Sequence, residues 1–369
     1  MVLHECYSTD WVPETKFLQF SWNVYNGLCT FVSYRLFEIE IYVIAFCLVI
    51  NLFHITVLCQ KSMRSSPIYI IMAAVAFMDI ISPMNMVFVE IIKFYKTFNY
   101  CYSKHADFNL TYVRIIFDCV RLFGRRCSTW LSLSITIIRT LVIRNPMNPK
   151  FDILSKPKIA FIAISGIATF WGALSVVDFL SFDILIFDNK FNCTTKGKVE
   201  HTLSWHWVDT FPLYHWVEIS ALFQANQDAI NNYYNIAPCI LFPVTTFFLV
   251  KEIRKVERKR MEMMSPSNSK NTSNLVLALT LTFFLAEFPL GVSYFLQPVF
   301  PLNNHIIQPK HFFEYLEMLF SFLLTPTTAT HMIICVLMSA QYRENALLVL
   351  RCGYVPKGHS NSNGRAASS

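Results

Sequence analysis

The chain has 369 residues, of which 54% are apolar or aromatic and only 15% are charged, and its formal net charge is +7. The apolar residues gather into runs of about twenty or more, the length that a helix needs to cross a hydrocarbon layer ~30 Å thick. A soluble protein would break them into shorter amphipathic runs, so this composition excludes a soluble globular fold. The polar N-terminal segment "MVLHECYSTDWVPETKF" predicts no signal peptide.

Seven apolar runs follow one another along the chain, and each should be a helix, because lipid offers no partner for backbone polar groups. They lie near 36–59, 67–92, 112–143, 158–182, 232–250, 275–297 and 312–338. With the N-terminus outside, the excess of Lys and Arg falls on the cytoplasmic segments, as the positive-inside rule requires. We therefore predict an all-α membrane protein, a seven-transmembrane helix bundle, whose charge reflects topology rather than nucleic-acid binding.

The segments outside the bundle divide the chain further. We predict an extracellular segment over 1–35, the transmembrane domain over 36–338, an amphipathic membrane-surface helix over 339–352 and a disordered cytoplasmic tail over 353–369. The long outer loop, about 183–231, is rich in aromatic residues and should lie at the membrane interface or fold over the bundle.

Three modification sites are predicted from short motifs. Asn109 and Asn192 begin N-x-[ST] sequons on the outer side, whereas the sequon at Asn271 would be cytoplasmic and bare. Cys352 follows the last helix among basic residues and is a candidate for palmitoylation.

The third run carries a polar stripe. Residues spaced by four and three share one face of a helix, and here they are Arg121, Arg125, Ser128, Ser132, Ile135 and Arg139. Charged side chains that face lipid are costly, so the stripe should face the interior of the bundle. Arg126 lies off the stripe, and we predict that it extends toward the membrane surface.

The end of the third run resembles a known family. "STWL" is followed, nine residues after Trp130, by an arginine and then by Pro146, which resembles the third helix of rhodopsin-like (class A) G protein-coupled receptors. Arg139 occupies the place of the arginine in the D/E-R-Y motif of that family. Ile138 and Thr140 replace its acidic and aromatic neighbours.

Other motifs extend the resemblance over roughly 34–352. Asn51 and Asp79 match polar positions of the first and second helices, and "NIAPCILFP" and "FFLAEFPLG" resemble the fifth and sixth. "QKSMRSSP" resembles the first inner loop of FMRFamide and myosuppressin receptors. "RRCSTWL" and "AEFPLG" together resemble the nematode serpentine receptor class w (Srw), a chemoreceptor family.

The chain departs from the family at the sixth and seventh helices. Glu287 stands two residues before Pro289, where the family has tryptophan, and "HMIIC" replaces the N-P-x-x-Y motif. The sodium pocket of the family, built from Asp79, Ser128 and polar partners on these helices, is only half matched, so the resemblance does not predict a sodium site.

The resemblance implies a multi-pass receptor of the plasma membrane that binds an extracellular ligand and activates a heterotrimeric G protein. The residues to which it assigns activation are Arg139, Pro289, Asp79, Asn51 and Ser128. A transporter or channel is a weaker reading, since no internal repeat is visible. No motif of a membrane enzyme, metal site or cofactor site occurs.

The ligand is predicted from charged residues near the outer halves of the helices. The candidates are Glu90, Arg121, Arg125, Glu287 and Glu317. This mixed charge suits a small neuropeptide, for example an RFamide-like one, and a small environmental molecule is the alternative. Family spacing places Arg125 beside Glu287, which predicts an ion pair between the third and sixth helices.

The family also implies a disulfide bond that holds the long outer loop over the mouth of the bundle. Its loop cysteine is Cys193, and its partner lies at or near the outer start of the third helix. Here the usual place holds Arg114, so Cys101 and Cys119 are both candidates, and we favour Cys101 because it lies in a polar loop.

Overall fold

The structure is a computed structural model that describes residues 16–98, 104–145, 151, 153–180, 182–195, 198–209, 236–255, 258, 269–296 and 309–351. All statements below concern these residues.

Helices dominate the described chain. In order, the elements are α1 (Lys16–Thr30), a π-helical turn (Phe31–Leu36), α2 (Phe37–Leu58), α3 (Pro67–Ile81), α4 (Met84–Phe98), α5 (Lys104–Arg144), a 3-10 turn (Ile153–Ser155), α6 (Pro157–Leu180), β1 (Phe182–Thr195), β2 (Lys198–Asp209), α7 (Ile236–Lys255), α8 (Ser269–Leu296), α9 (Pro309–Met338) and α10 (Ala340–Leu350).

Six of the described helices are long and apolar enough to cross a membrane. They are Glu38–Leu58, Pro67–Tyr95, Phe108–Arg144, Pro157–Leu180, Ile236–Lys255 and Tyr315–Met338. Helix α8 coincides with the sixth apolar run of the sequence. We therefore number the six helices together with α8, in chain order, as the first to seventh spans. Helix α8 is the sixth span. The predicted all-α bundle is confirmed.

The second span is broken between α3 and α4. Helix α3 ends at Ile81 and α4 begins at Met84, with Ser82 and Pro83 between them. Proline lacks a backbone N–H and its ring clashes with the preceding turn, so the helix cannot pass through this point unchanged.

The second and third spans approach each other closely at Gly124. A Cβ atom at this position would lie 3.1 Å from the Met78 carbonyl oxygen and 3.2 Å from the Ser82 nitrogen. Only glycine allows two backbones to meet at this distance without displacement. This contact lies just before Arg125 in the chain and sets the distance between the two spans there.

The outer loop contains a β hairpin that the sequence analysis did not predict. Strands β1 and β2 are antiparallel, with Phe182 opposite Asp209 and Thr195 opposite Lys198, and the pairing is irregular between Phe187 and Phe191. Strand β1 lies beside the fourth span and β2 beside the third. The strands are rich in β-branched and aromatic residues, which favour a pleated structure.

The N-terminal helix α1 is joined to the first span by the π-helical turn and packs against the outer part of the seventh span. Cys29, Val32 and Leu36 form a small buried cluster with Tyr315, and the rings of Tyr25 and Tyr315 meet edge to face at 6.0 Å. The segment predicted only as extracellular therefore forms, from residue 16 onward, a helical extension of the bundle.

The cysteines allow a partial answer on disulfide bonds. Cys29 is disulfide-bonded. Cys119 is buried and is not part of a disulfide bond, so it is not the partner of Cys193. The expected bond between Cys101 and Cys193 stays a prediction, because Cys101 and the side chain of Cys193 lie outside the described part of the chain.

Candidate functional site

A cavity opens among the first, second, third, sixth and seventh spans. It encloses about 760 Å³ of empty space, including its open mouth. Its charged lining residues are Glu40, Asp79, Arg121, Arg125 and Glu287. Hydroxyl groups line most of the remainder, from Ser82, Ser128, Thr129, Ser321, Thr325, Thr327 and Thr328. Only Ile44, Pro83, Met86 and Leu324 are apolar. The cavity therefore offers a ligand several charged and hydroxyl groups, although carbon atoms provide the larger part of its exposed lining surface.

The third span supplies one wall of this cavity. The stripe predicted from helical spacing faces the interior in its outer half, where Arg121, Arg125 and Ser128 all line the cavity. The break in the second span, which packs against the third span near Gly124, adds Ser82 and Pro83 to the lining.

The outer level of the cavity is organised around Asp118. Its Oδ1 accepts a hydrogen bond of 2.6 Å from Asn85 Nδ2 of the second span and lies 3.5 Å from Arg121 Nε. About a third of the Arg121 side chain is exposed. Glu40 of the first span completes this level and attracts Arg121. An opposite charge thus acts on Arg121 from its own helix and from the first span.

The middle level differs from the prediction. Arg125 donates a hydrogen bond of 2.8 Å to Ser321 Oγ of the seventh span. Glu287 Oε1 instead accepts a hydrogen bond of 2.8 Å from Thr129 Oγ1. The predicted Arg125–Glu287 ion pair is not among the ion pairs of the described residues, because Thr129, one turn further along the third span, contacts the carboxylate. The two charged groups nevertheless line one cavity.

The inner level is the floor of the cavity, and the contact between Thr129 and Glu287 reaches it, because Thr129 directly follows Ser128. Asp79 Oδ1 accepts a hydrogen bond of 2.6 Å from Ser128 Oγ, whereas its Oδ2 is buried and has no hydrogen-bond partner among the described residues. Nearby, Asn51 Nδ2 donates to Thr328 Oγ1 at 3.1 Å and joins the first span to the seventh.

Two candidate ligand residues lie elsewhere. Glu90 forms a half-exposed ion pair with Lys93 on its own helix, and neither Glu90 nor Glu317 is among the described residues that line the cavity. The sequence analysis missed Glu40 and Ser321. An acidic residue inside an apolar run was the available signal for Glu40, but one serine among many gave none.

The prediction for Arg126 was wrong. Its side chain is only 8% exposed and donates a hydrogen bond of 2.9 Å to Asp178 Oδ2 of the fourth span. The guanidinium also lies 5.3 Å from the centre of the Trp171 ring. It does not extend to the membrane surface because a carboxylate on the neighbouring helix lies within reach.

The cytoplasmic end of the third span contains Arg139. The guanidinium of Arg139 makes no hydrogen bond to a described residue, and its Nε is buried. It lies near Tyr69 of the second span, whose hydroxyl is 3.0 Å from Ser339 Oγ. Pro289 lies inside helix α8, where it removes a backbone donor.

Helix α10 is held against the first span by polar contacts. His54 Nδ1 and the Tyr342 hydroxyl are 2.7 Å apart, and both residues are buried. Ser62 Oγ donates to Asn345 Oδ1 at 2.6 Å, and Gln341 Nε2 donates to the Ser62 carbonyl at 2.9 Å. This segment is the one predicted to form a membrane-surface helix.

The predicted modification sites are placed as follows. Asn109 is exposed near the outer end of α5, and Asn192 lies in β1 opposite His201. Cys352 lies outside the described residues.

The family comparison covers almost the whole bundle. The model of the family described as "Serpentine type 7TM GPCR chemoreceptor Srw" matches residues 38–353. A search among curated proteins found no significant match.

Proposed function

From the premise that the chain belongs to the Srw family of serpentine seven-transmembrane G protein-coupled chemoreceptors, we propose that its extracellular ligand is a small peptide that inserts a charged end into the cavity. As a member of this family the chain is a multi-pass plasma-membrane receptor, and it is not an enzyme. Its partners are in general an extracellular ligand and a heterotrimeric G protein.

The charged and hydroxyl groups of the cavity support this proposal. They belong to most of the lining residues, although carbon atoms provide the larger part of the exposed lining surface. Charged groups in such a site must be paired or solvated, so a ligand that replaces water has to bring opposite charges of its own. A peptide end offers an ammonium or a carboxylate, together with amide groups for the hydroxyls.

Within this proposal the cavity residues Arg121, Arg125 and Glu287 contact the ligand. Glu90 and Glu317 remain candidates for the part of a peptide outside the cavity, since they do not line it. We assign coupling to Arg139, which lies at the other end of the bundle. We assign the hinge of the sixth span to Pro289.

A small polar molecule from the environment is a second candidate ligand. The description of the matched family as chemoreceptors supports it, and the same polar lining would accept it.

The test is a ligand screen on cells that express the full chain with a promiscuous G protein. Neuropeptides, with amidated RF peptides first, form one arm, and small polar metabolites form the other. Activation by a peptide that weakens in Arg121→Gln supports the proposal. The matched control is Arg35→Gln, because Arg35 is 72% exposed in a surface ion pair. Activation by metabolites alone would replace the peptide with the second candidate.

A further inference from the structure

We propose that the inserted end of the ligand is dipolar: an organic cation, an ammonium or a guanidinium, binds between Asp79 and Glu287 at the floor, and a carboxylate binds Arg121 and Arg125 above. This inference rests on the proposed function and names the chemistry of its ligand.

The floor contains two buried carboxyl groups. Asp79 and Glu287 are 9% and 8% exposed, and both line the cavity. Each accepts one hydrogen bond from a hydroxyl of the third span, from Ser128 and Thr129 respectively. Neither carboxylate forms an ion pair with a described residue, and Asp79 Oδ2 has no hydrogen-bond partner there. A cation supplied from outside would compensate both.

The cation at the floor should be organic rather than a metal ion. The described residues contain no group of three or more His, Cys, Asp or Glu side chains that could hold a metal, and the sodium arm of the test below distinguishes an organic cation from an alkali ion bound by carboxylate and hydroxyl oxygens. The carboxylates come from different helices and line an open cavity, which leaves room for a group with several N–H donors. Such a group can reach both acids and the surrounding hydroxyls together.

Arg121 and Arg125, above the floor, provide the binding site for the carboxylate of the ligand. Arg125 is drawn toward the seventh span by its hydrogen bond to Ser321, so it lies to the side of the path to the floor. Along the third span, Arg125 lies three residues before Ser128, and Arg121 lies seven residues before Ser128. These separations correspond to about 4.5 and 10.5 Å of helix. A ligand whose two charges are about 5–10 Å apart would therefore satisfy both levels.

The test measures binding without signalling. The purified full chain in nanodiscs is titrated with ω-amino acids from glycine to aminocaproate, and the thermal unfolding midpoint is recorded, since a ligand of the folded state raises it. We expect stabilisation by the longer members and little by glycine. The alkylamine and the fatty acid of equal length, which carry one charge each, should stabilise far less.

Variants of the two floor residues test where the cation of the ligand binds. Asp79→Asn and Glu287→Gln should each weaken the apparent affinity for the best amino acid by roughly tenfold or more, because one partner of a buried charge is lost. Glu38→Gln, which changes a carboxylate that is 70% exposed and outside the cavity, should leave it unchanged. If both floor variants fail to fold, the length series on the unaltered chain decides.

Three outcomes would overturn the inference. These are equal stabilisation by the singly charged compounds, no stabilisation by any amino acid of the series, and displacement of the amino acid by sodium chloride but not by choline chloride. The last would mean that the floor holds an inorganic cation. A receptor that binds the series but responds to no peptide would refute the proposed function and leave this inference intact.

Discussion

The Arg126 guanidinium of the third span and the Asp178 carboxylate of the fourth span form an ion pair of 2.9 Å, with only 8% and 11% of their side chains exposed. Successive residues of a helix point about 100° apart. The pair therefore fixes the rotation of the third span in the orientation that turns Arg125 toward the cavity.

Replacing one residue of this ion pair should destabilise the folded protein more than replacing both residues. Arg126→Met or Asp178→Asn strands one buried charge, and we expect a loss of stability on the order of 3–5 kcal/mol, whereas the double change to Met and Leu should recover most of it. Thermal unfolding and surface expression measure both effects. The control pair, Arg35–Glu38, is 72% and 70% exposed, so its disruption should change little. Additive losses in the double variant would contradict the interpretation.

Much of the bundle could be predicted from the sequence, because runs of apolar residues and helical spacing report directly on lipid contact. The stripe at Arg121, Arg125 and Ser128 was predicted from spacing alone. The partner of Arg126 was not predicted. Asp178 lies 52 residues away in the sequence, and spacing within one helix does not tell which residue of a neighbouring helix contacts Arg126. The contact of Glu287 with Thr129 rather than Arg125 likewise depends on how the third and sixth spans are rotated against each other.

Gly124 should tolerate no side chain. In Gly124→Ala the new Cβ would press on the Met78 carbonyl and the Ser82 nitrogen, and such overpacking is expected to cost about 1–3 kcal/mol. Gly166→Ala is the matched control, because nothing lies within 4 Å of its Cβ position. The thermal midpoint should fall for the first variant and not for the second. Equal midpoints would show that the two spans can separate without loss.

The hydroxyl of Tyr342 should contribute to holding α10 in place. Tyr342→Phe keeps the buried ring but removes the partner of His54 Nδ1, which should lower stability by about 1–2 kcal/mol. Tyr42→Phe, on the lipid-exposed side of the same first span, removes a hydroxyl that is not buried, since Tyr42 is 76% exposed. Thermal unfolding of the two variants in parallel gives the comparison, and a loss of equal size in both would argue against a specific contribution of Tyr342.

Arg139 should be needed for signalling but not for ligand binding, because it lies at the opposite end of the bundle from the cavity. Its guanidinium makes no hydrogen bond to a described residue, and Ile138 offers no carboxylate to restrain it. We therefore expect measurable signalling without ligand, abolished in Arg139→Ala at unchanged surface expression. Arg144→Ala, at the exposed end of the same helix, serves as the control. Normal signalling by Arg139→Ala would refute the role.

The connection between the third and sixth spans should depend on Thr129 and Glu287. Thr129 Oγ1 donates to Glu287 Oε1 at 2.8 Å, and both side chains are buried. Thr129→Val keeps the shape of the side chain but leaves the carboxylate without this donor, which weakens the contact by about 1.5–3 kcal/mol for a hydrogen bond to a charged group. A sixth span held less firmly should swing outward more often, so basal signalling per surface receptor should rise. Thr245→Val is the matched control, because that hydroxyl donates to the Leu241 carbonyl of its own helix. If basal signalling is unchanged in Thr129→Val and also in Glu287→Gln, this hydrogen bond does not restrain the sixth span.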